Sequence, residues 1–287
     1  MEPRDPPPPP PYRSRHSGET GLQKGDEGAA ARHTPVRPRT GHGPEEEAAW
    51  VQDTLAAYRS AARAHPGDAD YRTDLGDAYV FADRSLEALA EYKKAVKASP
   101  RRAAPHFSMA EVYRRGGQVR AAVLEYRKAV QLNPTNPFYR YKLADALSAS
   151  NLLAEAIPEL EAARDLDPHN GFYHFWLGEL YSRAGLMDAA ILELQLATLF
   201  CPSDHYYSMR LGVLYLQAGF AQEAVAALRQ AVEIAPQNAS YHCLLADAYV
   251  RLGHDRQALQ HYRRAGTLDP YDADTLGKLR QLSARLG

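Results

Sequence analysis

GFYHFWLGELYSRAGLMDAAILELQLATLFCPSD (residues 171–204) and HYYSMRLGVLYLQAGFAQEAVAALRQAVEIAPQN (residues 205–238) are consecutive 34-residue blocks that align position on position. Leu177 and Gly178 fall on Leu211 and Gly212, Tyr181 on Tyr215, Gly185 on Gly219, Ala190 on Ala224, and Ala197 on Ala231. Working outward, the proline carries the same period along the chain: Pro66, Pro100, Pro134, Pro168, Pro202, Pro236 and Pro270 stand 34 residues apart. A fixed period of this length predicts a stacked array of helix pairs, because one pair cannot bury its apolar face without a neighbour.

Six complete repeats run 69–102, 103–136, 137–170, 171–204, 205–238 and 239–272. In the first half of each, Leu75, Met109, Leu143, Leu177, Leu211 and Leu245 form one column. The small residues Gly76, Ala110, Ala144, Gly178, Gly212 and Ala246 follow directly. Gly117, Gly185, Gly219 and Gly253 mark a turn between two helices. Asn151 takes that place in the third repeat because asparagine tolerates a left-handed backbone, and Asp83 is the odd residue of the column.

The second half has an alanine column (Ala88, Ala122, Ala156, Ala190, Ala224, Ala258), a large one (Tyr92, Tyr126, Leu160, Leu194, Leu228, Tyr262) and a second alanine column from Ala95 to Ala265. Small residues facing large ones let antiparallel helices approach and interdigitate.

These columns resemble those of the tetratricopeptide repeat family, over roughly residues 69–287 and more loosely 45–68. The resemblance implies an all-α, right-handed superhelical solenoid of antiparallel helix pairs. The family's usual tryptophan column is replaced by Arg72, His106, Arg140, His174, Ser208 and His242. The lysine, asparagine and arginine set with which some members clamp a chaperone carboxylate is not matched. Pro158 falls inside a second helix, where it removes a backbone donor and should bend the helix locally.

Flanking the repeats, residues 1–44 are rich in Pro, Gly and Arg and nearly empty of large aliphatics, the composition of a disordered tail. Pro9-Pro10-Pro11-Tyr12 and Pro35-Val36-Arg37-Pro38 match short proline-recognition patterns. Residues 45–68 read as a half-repeat helix through Val51, Leu55, Tyr58 and Ala62. Residues 273–287 read as a capping helix through Leu276, Leu279, Leu282 and Leu286.

The chain is 45% hydrophobic and its formal net charge is -1, so no bulk attraction to nucleic acid is expected. No apolar run is long enough for membrane insertion. Cys201 and Cys243, the only cysteines, suggest reduced thiols and a cytoplasmic protein. The histidines lack metal-ligand spacing, and no phosphate loop or nucleophile motif is present, so neither enzymatic activity, a metal nor a cofactor is expected.

Function is therefore sought on the first-helix side that the packing columns leave over, which in the family lines a concave groove. There lie Phe107, Phe138, Tyr141, Phe172, Phe175, Trp176, Tyr206 and Met209, a concentration suited to anchoring a peptide or helix of a partner protein. An acidic column, Asp77, Glu111, Asp145, Glu179 and Asp247, shares that side with Lys142 and Arg210, so a partner of mixed charge is expected. The alternative is a structural or accessory subunit of a larger complex, or a self-assembling scaffold, acting through its convex face or its ends.

Overall fold

A computed structural model describes residues 44–286, which form fourteen α-helices and no strand. The proline-rich patterns and the remainder of the expected tail lie outside the described residues. After α1 (Pro44–Ala64) come the pairs α2 (Ala69–Phe81) with α3 (Ser85–Ala98) and α4 (Ala103–Arg115) with α5 (Val119–Leu132), followed in the chain by α6 (Pro137–Ala149) and α7 (Leu153–Leu166). Then come α8 (Gly171–Arg183) with α9 (Met187–Phe200), α10 (His205–Ala218) with α11 (Ala221–Ile234), and α12 (Ala239–Arg251) with α13 (Asp255–Leu268); α14 (Ala273–Leu286) follows. The chain divides into two compact units between Asn151 and Leu152.

One turn chemistry joins the pairs. Gly117, Gly185, Gly219 and Gly253 have φ between 72° and 85°, and Asp83 and Asn151 adopt φ of 56° and 59° at the same position. The next residue's N–H reaches back to the tyrosine carbonyl near the helix end, as in Arg84 to Tyr79 at 2.8 Å and Leu186 to Tyr181 at 2.9 Å. This is the six-to-one bond that closes a helix C-terminus and reverses the chain.

The next helix begins with a second periodic device. Asp68, Asn136, Asn170, Asp204 and Asn238 each accept a hydrogen bond from a first-turn N–H, and only Arg102 breaks the series among the six repeats. Such caps satisfy donors that the helix cannot, each contributing about 1 kcal/mol.

In the N-terminal unit α2 packs on α1 and α3, and α4 on α3 and α5, with α6 against α5. Its core includes Leu55 and Ala62 of α1 with Leu75, Tyr79, Tyr92 and Met109. In the C-terminal unit each helix from α8 to α14 packs on the one before, around Leu194, Leu211, Leu214, Leu228 and Leu245. The six alanines from Ala88 to Ala258 are all fully buried, and the large column four residues further along the same helices is nearly so. Where the first-helix small residue is glycine the approach is closest: a Cβ on Gly212 would lie 2.5 Å from Leu228 Cγ, and one on Gly178 2.9 Å from Leu194 Cγ. Pro158 sits within α7, which stays one continuous helix in spite of the lost donor.

Candidate functional site

The sequence-derived aromatics divide between the two units. In the C-terminal unit, Phe172, Phe175 and Trp176 lie on α8, and Tyr206 and Met209 on α10. Phe175 and Met209 do not reach the surface: they are 1% and 5% exposed. Phe175 stacks on Tyr207 with ring centroids 4.6 Å apart, joining one repeat to the next. Both residues belong to the core because the fifth position of the first helix faces the following repeat, which a single-helix projection does not show.

Phe172, Trp176 and Tyr206 are half-buried around that floor. Trp176 meets Phe175 edge-on at 5.4 Å and Phe172 at 6.2 Å, while Tyr206 tilts against Phe175 at 5.5 Å. Two rings, Trp176 and Tyr206, are thus held by buried Phe175, and Phe172 leans on Trp176. Beside them Arg210 donates twice to Glu179, at 2.9 and 2.7 Å.

The N-terminal unit builds a related cluster on α4 and α6. Phe107 stacks on Tyr139 at 4.6 Å and touches Phe138 at 5.7 Å, while Phe138 lies 6.1 Å from Tyr141. Phe138 is 44% exposed, Phe107 and Tyr141 are half-buried, and the Lys142 ammonium stands 5.4 Å from the Phe138 centroid. Further along the unit, a hollow of about 460 Å³ is lined by Asp77, Val80, Phe81 and Arg115.

The acidic column is not an open strip of charge. Asp77 accepts from the Tyr92 hydroxyl at 2.6 Å, Glu111 from Tyr126, and Asp247 from Tyr262, each across fifteen residues. A second link spans 31 residues: Lys142 pairs with Glu111 at 3.2 Å, Arg210 with Glu179, and Lys278 with Asp247 at 3.0 Å. Asp145 meets Arg114 at 3.4 Å; burial holds its carboxyl above the usual carboxylate range, against the pull of Arg114 and Lys142. These carboxylates join repeats, and what they offer a partner is a row of ion pairs. The signal was legible, since each of those three cations stands 31 residues after an acid, but the pairing needs the stacking of repeats to become visible.

Three of the residues that replace the tryptophan column have a carboxylate partner nineteen residues on. Arg72 pairs with Glu91 at 3.0 Å, His106 with Glu125 at 2.7 Å and His174 with Glu193 at 2.6 Å, each in the interior of a helix pair. His242 meets His261 instead, at 3.0 Å. Burial, with the neighbouring His242 and Arg229 charges, pushes the His261 pKa down. These histidines are structural. Among the described residues no group of three or more His, Cys, Asp or Glu is placed to hold a metal ion, and Cys201 and Cys243 are free thiols. No described helix is long and apolar enough to cross a membrane.

Comparison with known proteins agrees with this architecture. Tetratricopeptide repeat models match residues 69–102, 141–205 and 239–272, and a TPR repeat model matches 110–151 and 212–253. No curated protein matches the sequence. Among solved structures, YrrB, a TPR protein with an unusual peptide-binding site, has a TM-score of 0.58 at 20% identity, covering 66% of this chain and 97% of its own. PilW, a type IV pilus biogenesis factor, has a TM-score of 0.58 at 18% identity, covering 74% of this chain and 98% of its own. Pseudomonas aeruginosa pilF gives 0.57 at 17%, covering 82% and 99%. At such identities these structures establish the fold alone. With the repeat models matched along the array and the helix pairs closed by one recurring turn, the chain belongs to the tetratricopeptide repeat family.

Proposed function

We propose that the chain is a non-enzymatic protein-interaction scaffold that holds a peptide or helix of a partner protein against the outward edges of Phe172, Trp176 and Tyr206. The observation that carries this reading is the support of Trp176 and Tyr206 by buried Phe175, with Phe172 set against Trp176. Partly exposed aromatics with fixed orientation bury large areas at little entropic cost on binding. The adjacent Glu179–Arg210 pair offers a partner one carboxylate and one guanidinium in a defined place. The partner segment presents apolar side chains to the rings and polar groups of both signs beside them. Family membership favours this class of function, and the peptide-binding site of YrrB is a precedent on the same fold.

Affinity capture from native lysate, comparing the intact protein with a Phe172→Ala, Trp176→Ala variant, tests the reading. A partner held by the intact protein and lost by a variant of unchanged helicity supports it. Equal capture by both overturns it and moves recognition away from these rings.

A further inference from the structure

The outer surfaces of the second helices carry a pattern that the proposed groove does not use. On α3 and α5, Lys93, Lys94, Lys97, Arg120 and Lys128 are exposed around Leu124, itself 59% exposed. The acids of these two helices are paired: Glu87 with Arg84, Glu91 with Arg72 and the exposed Lys94, and Glu125 with His106 and the exposed Lys128. The outward face of this pair is therefore basic with an apolar centre.

The corresponding second-helix surface of the C-terminal unit is apolar at its centre and carries acids at several of these positions. Leu124 of α5 corresponds to Leu192 of α9, which is 55% exposed between exposed Pro158 and Ala226 of the repeats on either side. Lys97 of α3 corresponds to Leu199, 67% exposed, whose counterparts in the adjoining repeats are exposed Asp165, paired with Arg164 at 2.8 Å, and exposed Glu233. Asp188 and Glu223 add to the acidic border, and Arg229 is turned to the Tyr249 hydroxyl at 3.2 Å. α9 contains no lysine or arginine. A helix apolar on its outward side as well as its inward one is the mark of a face that is covered in use.

We infer that the chain self-associates head to tail, the basic α3–α5 face of one copy docking on the acidic α7–α9–α11 face of a second. Both faces lie on second helices of the same length, each with an exposed leucine at the position of Leu124 and Leu192 and charges of one predominant sign around it. Charge complementarity selects this occupant: either face against its own kind would place like charges opposite one another, which disfavours a two-fold pairing. Because the two docking faces differ, one contact leaves a free face at each end, and assembly continues beyond the dimer until a ring closes or a filament grows.

Sedimentation velocity of the full chain over a range of concentrations tests this. At low ionic strength the mass rises with concentration beyond that of a dimer, and added salt reverses the rise because the charged borders are exposed and screened within about 10 Å at 0.1 M. Lys93→Glu with Lys97→Glu, or Glu223→Lys with Glu233→Lys, each weakens association about tenfold or more, since like charges then meet. Mixing the two variants restores association, through the unaltered face that each retains and through the two reversed faces, a result that loss of folding does not produce. A chain that stays monomeric at every concentration in low salt, or variants that associate as the parent does, overturns the inference. A monomer that binds vesicles containing phosphatidylserine, and loses them on Lys93→Glu with Lys97→Glu, also overturns it and assigns the basic face to lipid.

Discussion

Arg210 holds Glu179 with two parallel hydrogen bonds, at 2.9 and 2.7 Å, across 31 residues. The pair lies between first helices of successive repeats, and each side chain is about one-fifth exposed. One repeat later the same two positions are Val213 and Leu244, both half-buried against the core. The chain thus fills one repeated structural position with an ion pair at three places and with two aliphatics at this one.

That equivalence predicts a double-mutant result. Arg210→Leu alone leaves the Glu179 carboxylate half-buried without its partner and should destabilise by about 1–3 kcal/mol. Glu179→Val with Arg210→Leu should recover most of the loss, because a packed apolar pair replaces an ion pair at little cost. Urea midpoints of the parent, single and double variants check it. A double variant less stable than Arg210→Leu alone contradicts it.

His174 gives the C-terminal unit a pH-dependent contribution. Nδ1 is 2.6 Å from Glu193 and Nε2 is 3.0 Å from the Pro168 carbonyl, and only the imidazolium donates from both nitrogens. Burial works against the charge, but the Glu193 and Pro168 hydrogen bonds and the Glu193 charge outweigh it, so the pKa lies above the ordinary 6.5. The stabilisation is fully present below the unfolded value and is lost as pH rises through the folded one. His261, with its pKa lowered, acts oppositely: its contribution is present above the unfolded value and falls as pH drops through the folded one. The difference between the parent and His174→Gln in urea midpoint, followed from about pH 5.5 to about pH 8.5, isolates the first effect and should shrink as pH rises. A difference that grows with pH refutes the protonated assignment.

Asp83 keeps a positive φ at a position that four other repeats give to glycine. Replacing it by glycine removes the steric cost of the left-handed backbone and should stabilise by about 1 kcal/mol, net of the added freedom of the unfolded chain. Asp83→Val should destabilise, since branching at Cβ worsens the same conflict. Thermal midpoints of the two variants should move in opposite directions, and a shared direction rules out backbone strain as the cause.

Ala190 is fully buried, and the backbone beside it is so near that a Cβ on Gly178 would lie 3.2 Å from the Ala190 carbonyl oxygen. Ala190→Leu should cost roughly 1–3 kcal/mol by overpacking the helix pair. Ala226→Leu, on the outer side of α11, should change stability by less than about 0.5 kcal/mol. Equal losses at the two sites in chemical denaturation would show that depth in the helix pair does not set the penalty.

The sequence by itself determined the repeat length, the turn positions and the packing columns. The alanines from Ala88 to Ala258, the leucines from Leu143 to Leu245 and the glycine column are local requirements of helix pairing and chain reversal, renewed every 34 residues. The period was also enough to bring Phe172 and Trp176 onto one helix face beside Arg210. What only the tertiary structure decided was the fate of side chains that look across to the next repeat. Phe175 and Met209 sank into the core and the acidic column became a set of ion pairs, because the stacking of one repeat on another adds neighbours that no single helix projection contains. It also showed which second-helix leucines remain outside. Leu192 and Leu199 are exposed because the 34-residue frame gives each second helix one buried side and no third layer to cover the other.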